Sequence, residues 1–471
     1  MVFSSFPFLC FFLPAVFVLH TVLKKTKARN VILLAASLVF YAYGEPLYIF
    51  LLLFSAVVNY FLGRGLEKPR KGVLALGVVF NLALLLVFKY SAFLITELNR
   101  LLPAGQVLPV PQLALPIGIS FYTFQILSYL IDVYRGETGV QYNFISLLLY
   151  ISFFPQLIAG PIVKYHDVAE QIRYRVIEAE NVKNGIVRFT VGLGKKVLIA
   201  NGMAVAADSI YALEAGSVGT LAAWIGALAY MFQIYFDFSG YSDMALGLGQ
   251  MFGFRFKENF NYPYASTGIR DFWRRWHISL SSWFRDYLYI PLGGNWKGKA
   301  RTYLNLYIVF LATGIWHGAS WTFLLWGLYH GTFLVLERLD LVPFVKNRVL
   351  GWLYSFFVVF IGWILFRSDT LPQAWQMTKA LFGCGAAGGT SYALAVSFLS
   401  PFYLCLFGLA FLLSTPFFKS LGNTIWIRLS RSGAGTAAYD VFVMLGSLLI
   451  LALCLMQLAS DSYNPFIYFR F

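Results

Sequence analysis

The sequence predicts an all-α, polytopic membrane protein, and three observations predict it. Hydrophobic residues (AVILMFWYC) fill 59% of the 471 positions and charged residues only 12%, against roughly a quarter charged in an ordinary soluble domain. Mean hydropathy is +0.69, so a soluble globule of this size would lack the residues for a polar shell. Long apolar runs recur along the chain with short basic clusters between them, the pattern of spans joined by cytoplasmic loops.

Taken in order, Val2–Leu23 reads as a retained first span. The first lysine is Lys24, so no positive segment precedes the apolar run, and no small-x-small cleavage site follows it. Lys24, Lys25, Lys27 and Arg29 place its far end in the cytoplasm and the N-terminus outside. Val31–Tyr43 and Leu47–Leu62, parted by Gly44-Glu45-Pro46, form a hairpin that returns to Arg64, Lys68, Arg70 and Lys71. Val73–Ile95 crosses outward, a proline-bearing loop runs from Thr96 to Val110, and Leu113–Val133 crosses back to Arg135. Phe144–Val163 is broken by Pro155, Gly160 and Pro161, which suits a bent or re-entrant segment. Lys195 and Lys196 leave Ile186–Leu213 ambiguous, and Leu221–Phe236 is a good span. Phe254–Arg301 is the least lipid-like stretch and belongs on the cytoplasmic side. Tyr303–Trp316, Trp321–Leu336, Leu350–Phe366, Phe398–Leu413 and Val441–Met456 complete a set of roughly eleven spans, give or take two. A single integral-membrane domain over residues 1–471 is expected, with its catalytic core at about 113–336. No solenoid repeat and no inverted halves are visible, which weighs against a transporter.

The net charge of +15 fits anionic lipid facing cytoplasmic loops. No basic stripe interleaved with aromatics lies outside the apolar segments, so nucleic acid is not an expected partner. Cys10, Cys384, Cys405 and Cys454 form no C-x-x-C pair, and no metal-ligand histidine pair appears, so no metal site is expected.

Polar residues inside the membrane are costly and usually functional, and histidine is the residue suited to proton transfer near neutral pH. His20 and His166 read as interfacial, and His330 as packed and hydrogen-bonded. His317 follows the run to Trp316 and is flanked by Gly314 and Gly318, which admit a close approach of backbone or substrate. Its distance along the span from Arg301 places it beyond the bilayer midplane, towards the outer side.

His277 lies in Asp271-Phe-Trp-Arg274-Arg275-Trp276-His277, followed by Arg285-Asp286. Such a segment suits either a site for an anionic group with an apolar portion or an amphipathic helix at headgroup depth. Asp237 and Asp243 follow a strong span and suit holding an ion, orienting a histidine or, for Asp243, capping the next helix. Gln125, Tyr129 and Asp132 share a helix face that either lines a path or bonds to a neighbouring helix. Gly192-Leu-Gly194-Lys195-Lys196 lacks the full spacing of a phosphate loop.

Asp271–Ser281, Asp286–Asn295 and Thr313–Gly318 together resemble the motifs of the membrane-bound O-acyltransferase family. Within it the chain looks most like the bacterial branch that contains the alginate O-acetylation membrane subunit. Leu115–Tyr122, Phe154–Ile162, Phe236–Asp243 and the terminal Asn464–Phe471 add to the likeness, which is weakest from about Leu336 to Ala438. The resemblance implies a funnel or tunnel of helices in a bacterial cell membrane, with His317 at the near-invariant catalytic histidine and His277 at the second family position. It also implies an acyl thioester co-substrate, acetyl-coenzyme A foremost, with no permanently bound cofactor. The acceptor it implies is an exported polysaccharide or an extracytoplasmic partner resembling a serine esterase of the SGNH type. On this reading Arg274, Arg275 and Arg285 anchor the donor's phosphates, and Trp276, Asp286, Asp237, Gln125 and Trp316 are further substrate-binding candidates. The alternatives are D-alanyl transfer from a carrier protein to teichoic acid and, from another class, transport of a solute or polysaccharide.

Overall fold

The protein is described by a computed structural model covering residues 1–103, 106–158, 160–385, 389–460 and 466–467. Regular structure among these residues is entirely helical. The chain divides into two compact units, residues 1–189 with 244–257, and residues 190–243 with 258–471.

In the first unit, the expected first span begins as a π turn at Pro7–Phe12 and continues as Leu13–Val22. Phe8 and Phe40 pack at 5.8 Å, and Phe40 and Phe154 at 5.6 Å, closing an aromatic core. His20, expected near the cytoplasmic end of this span, is packed within the protein. It is buried, edge-on to Phe252 at 5.0 Å, because the segment after the long helix Thr220–Met251 folds back over the end of this span. The hairpin forms as Thr26–Gly44 and Tyr48–Gly65. Its second arm is tied to the following helix by Asn59 and Asn81, each amide donating to the other's carbonyl oxygen at 3.1 and 2.7 Å, a reciprocal pair well suited to an apolar surround.

That following helix runs unbroken from Lys71 to Leu101 and so takes in the first part of the expected Thr96–Val110 loop; positions 104 and 105 of this loop lie outside the described residues. The return helix starts only at Ile119, because Gly118 adopts φ +78° and residues 113–118 are not helical. A side chain at Gly118 would also meet the Leu157 carbonyl oxygen at 2.7 Å. The proline-bearing segment is bent as expected, Phe144–Ser152 giving way to the short turn Phe154–Leu157, with position 159 outside the described residues.

In the second unit the largest departure concerns the carboxylates. The helix does not end near Phe236 but runs through to Met251, so Asp237 and Asp243 lie within it and Asp243 caps nothing. Both find lysines instead. Asp237 is 2.7 Å from Lys196 and Asp243 is 2.6 Å from Lys195. A π segment at Lys195–Ala200 turns both neighbouring lysines towards the same helix. Gly240 allows the approach, since a Cβ there would meet the Gly192 carbonyl oxygen at 2.7 Å. The pairing removes the energetic objection to two cations and two anions in apolar helices.

Lys299–His317 and Trp321–Arg338 pack as a close antiparallel pair through glycines. A Cβ on Gly314 would lie 2.4 Å from the Phe323 carbonyl oxygen, and one on Gly327 would lie 2.3 Å from that of Phe310. Arg348–Arg367 follows, then the helices Gly389–Ser397 and Pro401–Leu413, bent by 69°, and Gly433–Ser460.

Among the described residues, six helices are long and apolar enough to cross a membrane, or seven if the bent pair forms one span. This is fewer than the roughly eleven expected from apolar runs, because some runs fold as shorter or broken helices while Thr26–Gly44, Lys299–His317 and Trp321–Arg338 are long enough but less apolar. Thr220–Met251 is 83% buried, whereas Gly433–Ser460 is 6% buried and presents nearly its whole apolar surface outward. Of the terminal stretch Asn464–Phe471, Phe466 and Ile467 are described and the rest lies outside the described residues.

Candidate active site

His317 is the last residue of its helix, placed there by the glycine-mediated pairing of Lys299–His317 with Trp321–Arg338. The chain then turns through Gly318 and Ala319 to Ser320, whose hydroxyl accepts from the Thr322 N–H and starts the next helix. A Cβ at Gly318 would run into the Phe323 ring, so a larger residue there would displace a ring of the His317 cage.

His317 is 5% exposed, and its imidazole sits inside an aromatic cage. Trp316, Phe366 and Trp326 stand edge-on to it at 4.8, 5.0 and 5.1 Å, and Phe323 lies more nearly parallel at 6.5 Å. A ring held this way keeps one orientation and meets few waters.

His277 lies at the junction of the short helices Ile269–Arg275 and Ile278–Phe284, with φ +44°. A non-glycine residue in this region is uncommon and indicates a conformation imposed by its surroundings. The surroundings are Phe238 at 4.6 Å and Trp316 at 6.2 Å, together with the amide of Asn259. Asn259 Oδ1 lies 3.1 Å from His277 Nδ1 and also accepts from the Ser279 hydroxyl at 2.8 Å. Its amide nitrogen donates to Ser242 Oγ at 3.0 Å. Because an amide oxygen only accepts, His277 Nδ1 carries the hydrogen and Nε2 presents a lone pair. Nε2 is buried and has no hydrogen-bond partner among the described residues. Burial pushes the His277 pKa down to about 3, so the ring is neutral at physiological pH.

Beside this pair of histidines lies a cavity of ≈ 310 Å³ whose lining changes character with depth. Arg270, Arg274, Arg285 and Arg338 line it as exposed residues, while Trp273, Leu280, Phe284, Val309 and Thr313 line it as buried ones. Arg285 is partly neutralised by Asp286 at 2.7 Å, and Arg338 donates to Asn295 at 2.8 Å. Arg274 makes no hydrogen bond or ion pair among the described residues. Its neighbour Arg275 does not line the cavity and pairs with Asp271 at 2.9 Å.

A single layer of aromatic side chains separates the cavity from the His317 cage. Trp273 stands 5.6 Å from Trp326, which itself touches His317, and Thr313 lies one helical turn before His317 on the same face.

The other candidates separate cleanly. Trp276 is buried, stacked on Phe272 at 5.7 Å and tilted against Trp363 at 4.7 Å, next to His277 in the chain. Asp237 serves Lys196 and accepts from the Ile467 N–H at 2.6 Å. Gln125 belongs to the first unit, where it is fully buried and both atoms of its amide lack partners among the described residues. On the same face Tyr129 accepts from the Gln141 N–H at 3.1 Å and Asp132 lies 2.8 Å from His166, so those two serve neighbouring segments. His330 is buried between Trp273 and Trp326, both at 5.1 Å, and its Nδ1 has no hydrogen-bond partner among the described residues. Asn259, Ser279 and Phe366 went unnoticed in the sequence. Asn259 had a signal, as a polar residue just before the His277 motif, whereas Phe366 had none among 47 phenylalanines.

A family model described as MBOAT, the membrane-bound O-acyltransferase family, matches residues 111–368. The chain is 41% identical to the probable alginate O-acetylase AlgI of Azotobacter vinelandii and 40% identical to that of Pseudomonas aeruginosa, in each case over 100% of both chains. It is 37% identical to the peptidoglycan O-acetyltransferase of Helicobacter pylori, over 78% of this chain and 76% of the relative.

Proposed function

The chain belongs to the membrane-bound O-acyltransferase family, and from that membership we propose that it carries an acetyl group from a cytoplasmic thioester to an extracytoplasmic hydroxyl. The donor is acetyl-coenzyme A, and the hydroxyl belongs to an exported polysaccharide or to an esterase-like partner that acetylates one. The relatives named for alginate and peptidoglycan O-acetylation support this acceptor class.

The observation that carries the reading is the contact of Trp273, which lines the arginine cavity, with Trp326, which packs on His317. Exposed guanidiniums suit the phosphates of a coenzyme A thioester, and the buried apolar depth suits its uncharged arm and acyl end. His317 acts as general base. It takes the proton of the acceptor hydroxyl as the oxygen attacks the thioester carbonyl, then returns it to the thiolate that leaves as the carbon–sulfur bond breaks. His277 presents the lone pair of Nε2 from a fixed tautomer and orients donor or acceptor by accepting a hydrogen bond from it.

The test is transfer of radiolabel from acetyl-coenzyme A by the protein in proteoliposomes, with a candidate acceptor present. His317→Ala should lower transfer by about 10²–10⁴-fold, the usual contribution of a positioned base, while the variant still inserts and melts like the native protein. Undiminished transfer by that variant would remove His317 from the mechanism.

A further inference from the structure

The second unit holds another cavity, of ≈ 420 Å³, which acyl transfer does not use. Met231 and Phe232 line it as buried residues, Tyr264 lines it from the short turn Pro263–Ala265, and Arg348, Phe411 and Ser414 complete the part that matters here. Its walls are apolar, no carboxylate lines it among the described residues, and Phe411 is 52% exposed. Arg348 is its one lining cation among those residues, and makes no hydrogen bond or ion pair with any of them.

The position of that cation selects the occupant. Arg348 is the first residue of the apolar helix Arg348–Arg367, and Ser414 directly follows the last residue of the apolar helix Pro401–Leu413. The cationic edge of the cavity therefore lies where one apolar spanning helix begins and the second arm of a bent apolar pair ends, a position suited to headgroup depth. Its floor lies against residues well inside the long helix Thr220–Met251. An apolar slot with an unpaired guanidinium at its interfacial edge is complementary to an acyl chain under a phosphate. We infer that this cavity is a binding site for one anionic phospholipid of the surrounding bilayer, its chain in the slot and its phosphate on Arg348.

An occupant there would press on the reaction site's support. Tyr264 donates to the Met231 carbonyl oxygen at 2.6 Å and packs 6.3 Å from Trp276, the residue before His277.

Delipidated full-length protein in detergent is offered phosphatidylglycerol or phosphatidylcholine with identical chains, and bound lipid is counted by native mass spectrometry. One phosphatidylglycerol should be retained in preference to phosphatidylcholine. Arg348→Ala should weaken its retention roughly fivefold, the effect of one interfacial cation on an anionic lipid, and Arg348→Lys should largely preserve it. Ala265 and Val349 also line the slot; Ala265→Phe, which fills it while leaving Arg348 in place, should abolish retention, and Val349→Trp serves if that variant melts abnormally. Equal retention of both lipids unaffected by Arg348→Ala would overturn the site. So would a filled slot that still holds the lipid.

Discussion

Asn259 Oδ1 lies 3.1 Å from His277 Nδ1, and that contact sets which nitrogen of a buried imidazole is free to act. Asn259→Asp replaces the amide by a carboxylate at the same place, which raises the His277 pKa from about 3. Native transfer should show no loss from His277 protonation between pH 5 and 7. The Asp variant should acquire an acid limb in that range. Identical pH–rate profiles would mean that the contact does not govern the reaction.

Arg274 and Arg275 are adjacent in sequence and differ in surroundings. Arg274→Ala should raise the KM for acetyl-coenzyme A about tenfold or more, the loss of one charge-assisted contact worth about 1.5–3 kcal/mol, with a smaller effect on kcat. Arg275→Ala, which breaks only the half-exposed pair with Asp271, should leave KM nearly unchanged. Steady-state kinetics on both variants check this, and the reverse ranking would move the donor out of the cavity.

Lys196 and Asp237 form an ion pair with side chains 3% and 2% exposed. Removing one partner strands a buried charge, so Asp237→Ala should cost about 3–5 kcal/mol. Lys196→Met combined with Asp237→Leu should recover part of that loss, short of the whole because Asp237 also holds the Ile467 N–H. Thermal unfolding of the two variants in one detergent decides it. A double variant no better than the single would show that the lost backbone contact dominates.

His166 lies outside the spans, 2.8 Å from Asp132 and 3.4 Å from Asp167. Hydrogen bonds to these carboxylates raise its pKa to about 9 against a partial opposing effect of burial. Folding therefore favours the protonated form. The stability this contributes is fully present below the unfolded pKa near 6.5 and is lost as pH rises towards 9. The native protein should lose melting temperature across that alkaline window, and His166→Gln should flatten the loss. A slope unchanged in the variant would assign it to other groups.

The residues differ in how openly they declared themselves. His317 and His277 were legible because each sits in a dense local motif, and glycines around His317 mark the close approach that Phe323 and Phe310 later explain. Membrane character was legible because burial in lipid demands composition, which needs no knowledge of contacts. The number of spans was less so, since an apolar run says nothing of where a helix breaks, as at Gly118 or Pro155.

Composition, basic clusters and two histidine motifs established a helical membrane protein of the acyltransferase family. Tertiary structure alone decided that Asp237 and Asp243 meet lysines more than forty residues earlier in the chain. It alone separated Arg274 from Arg275, and joined the arginine cavity to the His317 cage through Trp273 and Trp326. The physical reason is that charge pairing, tautomer and cavity shape arise from groups far apart in sequence. Hydropathy and motif spacing, by contrast, are set by neighbours along the chain.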